Sequence, residues 1–517
     1  MLSDELVRRF TSPSRDFSPT PLWWWSGERL VRERLVWQLE RMAAGGVYNL
    51  VVINLAPKGP VFGAVADDPA WFSAEWWARF VDICEAADDL GMKIWFYDQI
   101  GFSGANLQGI VTAQHPGASG QAIHSEVVTL DAQRSLPAMV GKRLVGVYAL
   151  AVDGNPRRYP VDGSTVAATP GELVRVVFTV PTSFDYLEPS AFALLQDFVH
   201  GEFDRRVGRF LGTVIAGSFQ DELPAANTWT HGFLERFEAT TGYDLADHLP
   251  ALWEVGGDAE ARVRGDYYRV RTALFEDAVF KPLAAWHRER GMLLGSDQMN
   301  PARAGFPTQG TQLYSDYIRT HRHYSAAGSD HEGDARVHSS IADLYDHPRV
   351  WIESFHSSGW GGNLEETYDW LLPFFLSGAT LYNPHASYYS TVASWFEWAP
   401  PSTDWRQPYF AQYPAFAGGV SRICSLLTWG RHEVRVGVLH PTATVQARLP
   451  LDLPVDHFGV GAIGNGFSAI DETQAQYLQI VGTNNWFASK PGLLDTLGMD
   501  FDIIDDDSLA RAVASHR

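Results

Sequence analysis

Residues 74–104 read AEWWARFVDICEAADDLGMKIWFYDQIGFSG. Trp76, Phe80, Ile83 and Ala87 recur at helical spacing, which predicts a helix over 74–90 with those side chains inward. Gly91 is placed to close it. The run 92–98 (MKIWFYD) is almost continuously apolar and ends on an acid, the pattern of a parallel strand covered on both faces. Asp98-Gln99 and a loop bracketed by Gly101 and Gly104 follow it. Helix, glycine, buried strand, acid and loop together make one β/α unit.

The same unit repeats in both directions. Strands are predicted at 21–25, 48–55, 92–98, 212–220, 291–297, 325–330, 349–354 and 379–384, with helical spacing at 31–44, 310–322, 335–345 and 364–376 among others. Eight alternating units predict an α/β fold, a (β/α)8 TIM barrel. The alternation breaks at 122–182, where short β-rich runs (HSEVVTL, RLVGVYALAV, ELVRVVFTV) predict a small antiparallel insertion. The barrel is therefore assigned to 1–121 and 183–415, with the β-rich subdomain at 122–182. Residues 416–517 read as a partial C-terminal flavodoxin-like α/β segment: a strand at 433–440, a helix around 471–482 and a strand at 499–504. A complete domain of that kind needs about five parallel strands. The expectation is a truncated relative, or a segment that packs on the barrel or on another chain, which leaves homo-oligomerisation through this region open.

With 45% apolar and 20% charged residues among 517, the chain can bury a large core. Its net charge of −21 and pI of 5.2 disfavour phosphate backbones and anionic lipid, so nucleic acid and membrane are not expected partners. Cys84 and Cys424 cannot build a disulfide framework and read as buried free thiols. The start, MLSDELVRRF, lacks the apolar stretch of a secretory signal, and no run nears the roughly 18 apolar residues of a membrane span. A cytoplasmic protein is the expectation. The 19 tryptophans are core material first, but also platforms for sugar rings.

Active sites of such barrels sit at the C-terminal ends of the strands. Here those ends carry Asp98, Asp221-Glu222, Asp297, Asp330-His331-Glu332, Glu353 and Asn383-Pro384-His385. Glu222 and Glu353 fall on the fourth and seventh strands, opposite each other. Cleaving a glycosidic bond needs two carboxyl groups, one protonating the leaving oxygen and the other attacking carbon or activating water. Like charges in a partly dry mouth would keep one of them protonated. The bland alternative is an ion pair on the barrel rim. Candidate substrate contacts are Trp25, Asp98, Asp221, Asp297, His331, Trp360, His385 and Tyr389. Gly459–Gly464 matches GxGxxG, but no βαβ unit surrounds it, so dinucleotide binding is not expected. His321 and His323 do not share a helix face, and no motif with metal-ligand spacing is present.

The chain resembles glycoside hydrolase family 106, the α-L-rhamnosidases and their relatives. The resemblance rests on PLWWWSGERL at 21–30, LERMAAGGV at 39–47, the 74–104 stretch, GSFQDELP at 217–224, TGYDLADHLPALW at 241–253, RVWIESFHSSGW at 349–360, GATLYNPHASYYS at 378–390 and APPSTDWRQPYF at 399–410. It implies Glu222 as general acid, Glu353 as base, an inverting reaction on an α-L-rhamnoside or related deoxy-sugar, and, in some members, a calcium ion near the site; otherwise no cofactor is expected. The chain departs from the pattern with Gln99 after Asp98 and with Leu223 between Glu222 and Pro224. Three other readings compete: a β-galactosidase-like glycosidase, a non-catalytic sugar-binding or assembly barrel, and a metal-dependent hydrolase using Asp297, Asp330 and His331.

Overall fold

The computed structural model describes residues 4–61, 63–102, 105–150, 157–254, 256–298, 306–330, 335–354, 360–393, 400–453, 468–484 and 489–515. The helix predicted from the 74–104 stretch spans Ala74–Leu90. Ser73 caps its start by accepting from the Trp76 N–H, and Gly91 ends it in the left-handed conformation (φ 62°). The chain then enters a strand at Lys93–Tyr97.

That strand is β3 of a parallel sheet. The others are β1 (Leu22–Trp24), β2 (Asn49–Ile53), β10 (Ile215–Gln220), β11 (Leu293–Ser296), β12 (Ala326–Ser329), β13 (Trp351–Ser354), β14 (Leu381–Pro384) and β15 (Ser387–Tyr388). The sheet order is β14-β13-β12-β11-β10-β3-β2-β1-β15. Its two terminal strands are halves of one chain segment, interrupted only at His385-Ala386. One half pairs with β13 and the other with β1. The eighth strand thus closes the sheet on itself, giving the (β/α)8 barrel.

Successive strand residues alternate faces, and this period of two sorts the whole barrel. Leu22 and Trp24, Val51 and Ile53, Trp95 and Tyr97, Phe219, Trp351 and Leu381 share the interior cluster. Trp351 stacks on Phe219 at 4.4 Å and meets Trp95 edge-on at 5.5 Å. Two indoles fit in the lumen because β10 and β11 carry glycine there. A Cβ at Gly217 would lie 2.4 Å from the Trp95 ring, and one at Gly295 would lie 2.9 Å from the Trp351 ring. The opposite phase, including Trp23, Trp25, Ile94 and Phe96, packs against the helices.

Between β3 and β10 lies a four-stranded antiparallel sheet, ordered β4 (Gln121–Thr129), β9 (Leu173–Pro181), β5 (Arg143–Ala149), β6 (Arg158–Tyr159). A short hairpin, β7 (Val161–Asp162) with β8 (Thr165–Val166), sits beside it in the chain. After the barrel, β16 (Val436–Leu439) pairs in parallel with Phe501–Ile504. Helices Thr442–Arg448 and Ser468–Val481 come between them in the chain. Cys84 and Cys424 are buried and unbridged. No helix among the described residues is long and apolar enough to cross a membrane.

Candidate active site

At the C-terminal end of the barrel the interior phase changes from apolar to acidic. Continuing by twos, Phe219 on β10 is followed by Asp221, Gly295 on β11 by Asp297, and Trp351 on β13 by Glu353. All three carboxylates are buried, at 8%, 1% and 5% exposure. One oxygen from each lies within 4.8 Å of the others. Three ionised carboxylates cannot share so small a dry volume without compensation. Burial pushes the Asp221 carboxyl well above its ordinary range, helped by the charge of Asp297, a hydrogen bond with it, and the charge of Glu222.

Tyr97, in the same phase on β3, touches this group. Its Oη lies 2.7 Å from Asp221 Oδ2 and 2.7 Å from the carbonyl oxygen of Phe102. A phenol has one proton and the carbonyl can only accept. The hydroxyl proton is shared between Asp221 Oδ2 and the Phe102 carbonyl, and the proton that Asp221 retains is directed to Asp297. The contact with Tyr97 works against the raised pKa of Asp221, which burial and the neighbouring carboxylates set.

Glu222 is the next residue, half-buried on a bend with φ of 41°. Its N–H donates to the Asp297 carbonyl at 3.3 Å. The Leu223 N–H donates to Gln298 Oε1 at 3.1 Å, and Tyr314 Oη donates to the Leu223 carbonyl at 2.9 Å. The bend is therefore pinned to the end of β11. From the other side, the Phe102 N–H donates to the Asp221 carbonyl at 3.0 Å. Gly101 is needed there: a Cβ would sit 1.4 Å from the Asp221 carbonyl oxygen.

Glu353 faces His385, whose Nε2 is 4.0 Å from Glu353 Oε1. Trp24 lies between His385, at 5.2 Å between rings, and Tyr388, stacked at 6.0 Å. An aromatic–imidazole wall thus borders the carboxylates on the β1 side.

Of the residues expected from the sequence, Asp221, Asp297, Glu353, Glu222 and His385 are brought together here. Others are not. Trp25 is fully buried against Trp23, Trp76 and Phe80 on the helix side. The mouth reading of Trp25 fails because the interior phase of β1 is even-numbered; Trp24 is the residue of the run that faces the lumen, and it is itself 1% exposed. Asp98 is out of phase with Trp95 and Tyr97 and also faces the helices. It accepts from the Ile100 N–H at 2.9 Å and from Gln220 Nε2 at 2.9 Å, and burial raises its pKa to about 7. Tyr389 is buried, its hydroxyl donating to the Arg29 carbonyl and accepting from the Val31 N–H, so it orders the loop after β1 and does not line the mouth. Trp360 is 48% exposed beyond β13. His331 lies outside the described residues, as does 459–464. His321 is buried against Tyr317, and His323 pairs with Glu276.

Tyr97 and Tyr388 also border the group and were not among the expected residues. The signal was the strand phase. Trp95 and Tyr97 point the same way, and extending the phase of Trp351 by two reaches Glu353.

Three buried carboxylate oxygens at this spacing would supply part of the donor set, about six to eight oxygens, that a hard cation such as calcium takes. The residues fit such an ion.

No protein-family model matches the chain, and no curated protein does. Among solved structures it is similar to a rhamnosidase from Novosphingobium sp. PP1Y, with a TM-score of 0.66 at 12% identity, over 98% of this chain and 65% of that one. It is also similar to a beta-galactosidase from the psychrophilic Marinomonas ef1, with a TM-score of 0.46 at 12% identity over 83% of this chain and 64% of that one. A GH42 beta-galactosidase from G. stearothermophilus gives 0.47 at 10% identity, over 92% and 63%. The first likeness establishes the class of architecture, a (β/α)8 barrel. This chain spans just under two thirds of that rhamnosidase's length.

Proposed function

We propose that the chain is a glycoside hydrolase, of α-L-rhamnosidase type, in which Glu222 is the general acid and Glu353 the base. The observation that carries this reading is the convergence of Glu353, Asp221 and Asp297 at the C-terminal mouth, with Glu222 on the pinned bend beside them. Glu353 is nearly enclosed, with His385 Nε2 4.0 Å from its Oε1, and as base it takes a proton from water. Glu222 is more open, on the pinned bend, and as acid it hands a proton to the leaving oxygen. Asp221 and Asp297 orient sugar hydroxyls, and Trp24 with His385 offers an apolar wall for the ring. A calcium ion held by Asp221, Asp297 and Glu353 would, when bound, neutralise the cluster.

The sequence resemblance and the likeness to a rhamnosidase fold both favour an α-L-rhamnoside or related deoxy-sugar over a β-galactoside. The test is a panel of aryl glycosides, with the anomer of the first-formed product read by NMR. Turnover of α-L-rhamnosides with inversion is expected. Turnover of β-galactosides alone would support the galactosidase reading, and no turnover of any glycoside would leave the sugar-binding barrel as the better account.

A further inference from the structure

At the opposite end of the barrel, near the N-terminal ends of β13 and β14, His432 is surrounded by acids from two elements. Its Nδ1 lies 3.2 Å from Asp502 Oδ1 and 3.5 Å from Asp343 Oδ2. Its Nε2 lies 2.6 Å from Asp500 Oδ2, and the other oxygen of Asp500 is held by Arg336 at 3.0 Å. Asp343 and Arg336 belong to the barrel helix Ala335–Tyr345. Asp502 lies on the strand Phe501–Ile504, and Asp500 just precedes it. His432 follows the helix Tyr413–Leu427. The group therefore spans the seam between the barrel and the C-terminal segment.

A neutral imidazole donates through one nitrogen only. With Nε2–H committed to Asp500, Nδ1 faces two carboxylates, a position that calls for one positive centre: a proton on Nδ1, which the aspartates favour, or a metal ion in its place. Nδ1 and one oxygen each of Asp343 and Asp502 fall within 4.8 Å of one another. Histidines that bind metal almost always donate their second N–H to a carboxylate, which fixes tautomer and ring orientation. Asp500, itself clamped by Arg336, stands in that position. A 250 Å³ cavity lined by Arg336, Asp343, His432 and Asp500 opens beside the group and gives an ion and its waters a way in.

We propose that His432 Nδ1, Asp343 and Asp502 bind a borderline divalent metal ion, of the Zn²⁺ class, that clips the C-terminal segment to the barrel, with Asp500 as the positioning residue behind His432. One imidazole and two carboxylates suit such an ion and leave coordination positions for water. The role is structural and separate from the carboxylates at the other end of the barrel.

Co²⁺, a spectroscopic substitute, is the probe. The full chain is titrated with Co²⁺ and followed by visible absorption, with His432→Gln, Asp502→Asn, Asp500→Asn and Asp297→Asn compared, folding being checked by circular dichroism. The expected result is a Co²⁺ band in wild type that is lost in His432→Gln and Asp502→Asn and kept in Asp297→Asn. Asp500→Asn should weaken binding about 10–100-fold. Bound Zn²⁺ should also raise the melting temperature of wild type and not of His432→Gln. A band unchanged in folded His432→Gln, or lost only in Asp297→Asn, overturns the proposal. So does an absent band, which would leave His432 as a protonated ion-pair partner of the three aspartates.

Discussion

Tyr97 Oη lies 2.7 Å from Asp221 Oδ2 and ties β3 to β10 at the point where the barrel interior turns acidic. The same hydroxyl holds the Phe102 carbonyl, so one phenol fixes both a carboxyl of the site and the loop that covers it. Tyr97→Phe leaves two buried acceptors short of a partner. Each such loss costs about 1–3 kcal/mol. Urea unfolding should show destabilisation of that order, and turnover should fall together with it.

Gly101→Ala tests the packing of that loop. The added methyl cannot occupy space 1.4 Å from the Asp221 carbonyl, so the loop or the 221–223 bend must shift. A displacement of about 1 Å at a reacting group can cost about a hundredfold in rate. The expected outcome is a folded protein with a circular dichroism spectrum like wild type and kcat lowered at least tenfold. Ala at Gly208, where a Cβ meets nothing within 4 Å, is the control and should leave kcat unchanged.

Asp98 gives a pH signature. Its carboxyl, raised by burial to about 7 in the fold, returns to the ordinary range, near 4, on unfolding. Between those values the native state holds the extra proton. The stability from Asp98 is thus full below about pH 4 and is lost as pH rises through 7, by up to about 1.4 kcal/mol per pH unit. Asp98→Asn should flatten the fall in unfolding free energy over that window, whatever its effect on absolute stability. An unchanged slope would show that Asp98 stays ionised when buried.

Calcium should stabilise wild type. A ligand that binds only the folded state adds about 2.7 kcal/mol at a hundred times its dissociation constant. The rise in melting temperature on adding Ca²⁺ should vanish in Asp297→Asn, which removes one of the three converging carboxylates, and should survive in His432→Gln. Equal shifts in wild type and Asp297→Asn would place any calcium elsewhere.

Much of the barrel was legible because parallel strands buried on both faces are apolar runs that stop abruptly, as MKIWFYD stops at Asp98. Helix ends were legible from Ser73 and Gly91. The same double burial hid the phase. In Trp23-Trp24-Trp25 every residue is apolar, so nothing in the run says which side is the lumen, and Trp25 was read inward where Trp24 is. Asp98 misled for the same reason, being a strand-end acid in the outward phase. The convergence of Asp221, Asp297 and Glu353 depends on closure of the sheet through the split eighth strand, a relation among residues up to 132 positions apart that no local pattern carries. The seam around His432 was equally hidden, since Asp343 and Asp502 meet only through tertiary packing.

The most direct measurement is kcat/KM of wild type, Glu353→Gln and Glu222→Gln on the best glycoside, each with a poor and an activated leaving group. Removing a base or acid of this kind costs about 10²–10⁴-fold. Glu353→Gln should lose that factor on both substrates. Glu222→Gln should lose it on the poor leaving group and keep most of its rate on the activated one, which needs little protonation. Wild-type turnover in Glu353→Gln, or equal losses on both leaving groups in Glu222→Gln, would contradict the assignment of acid and base.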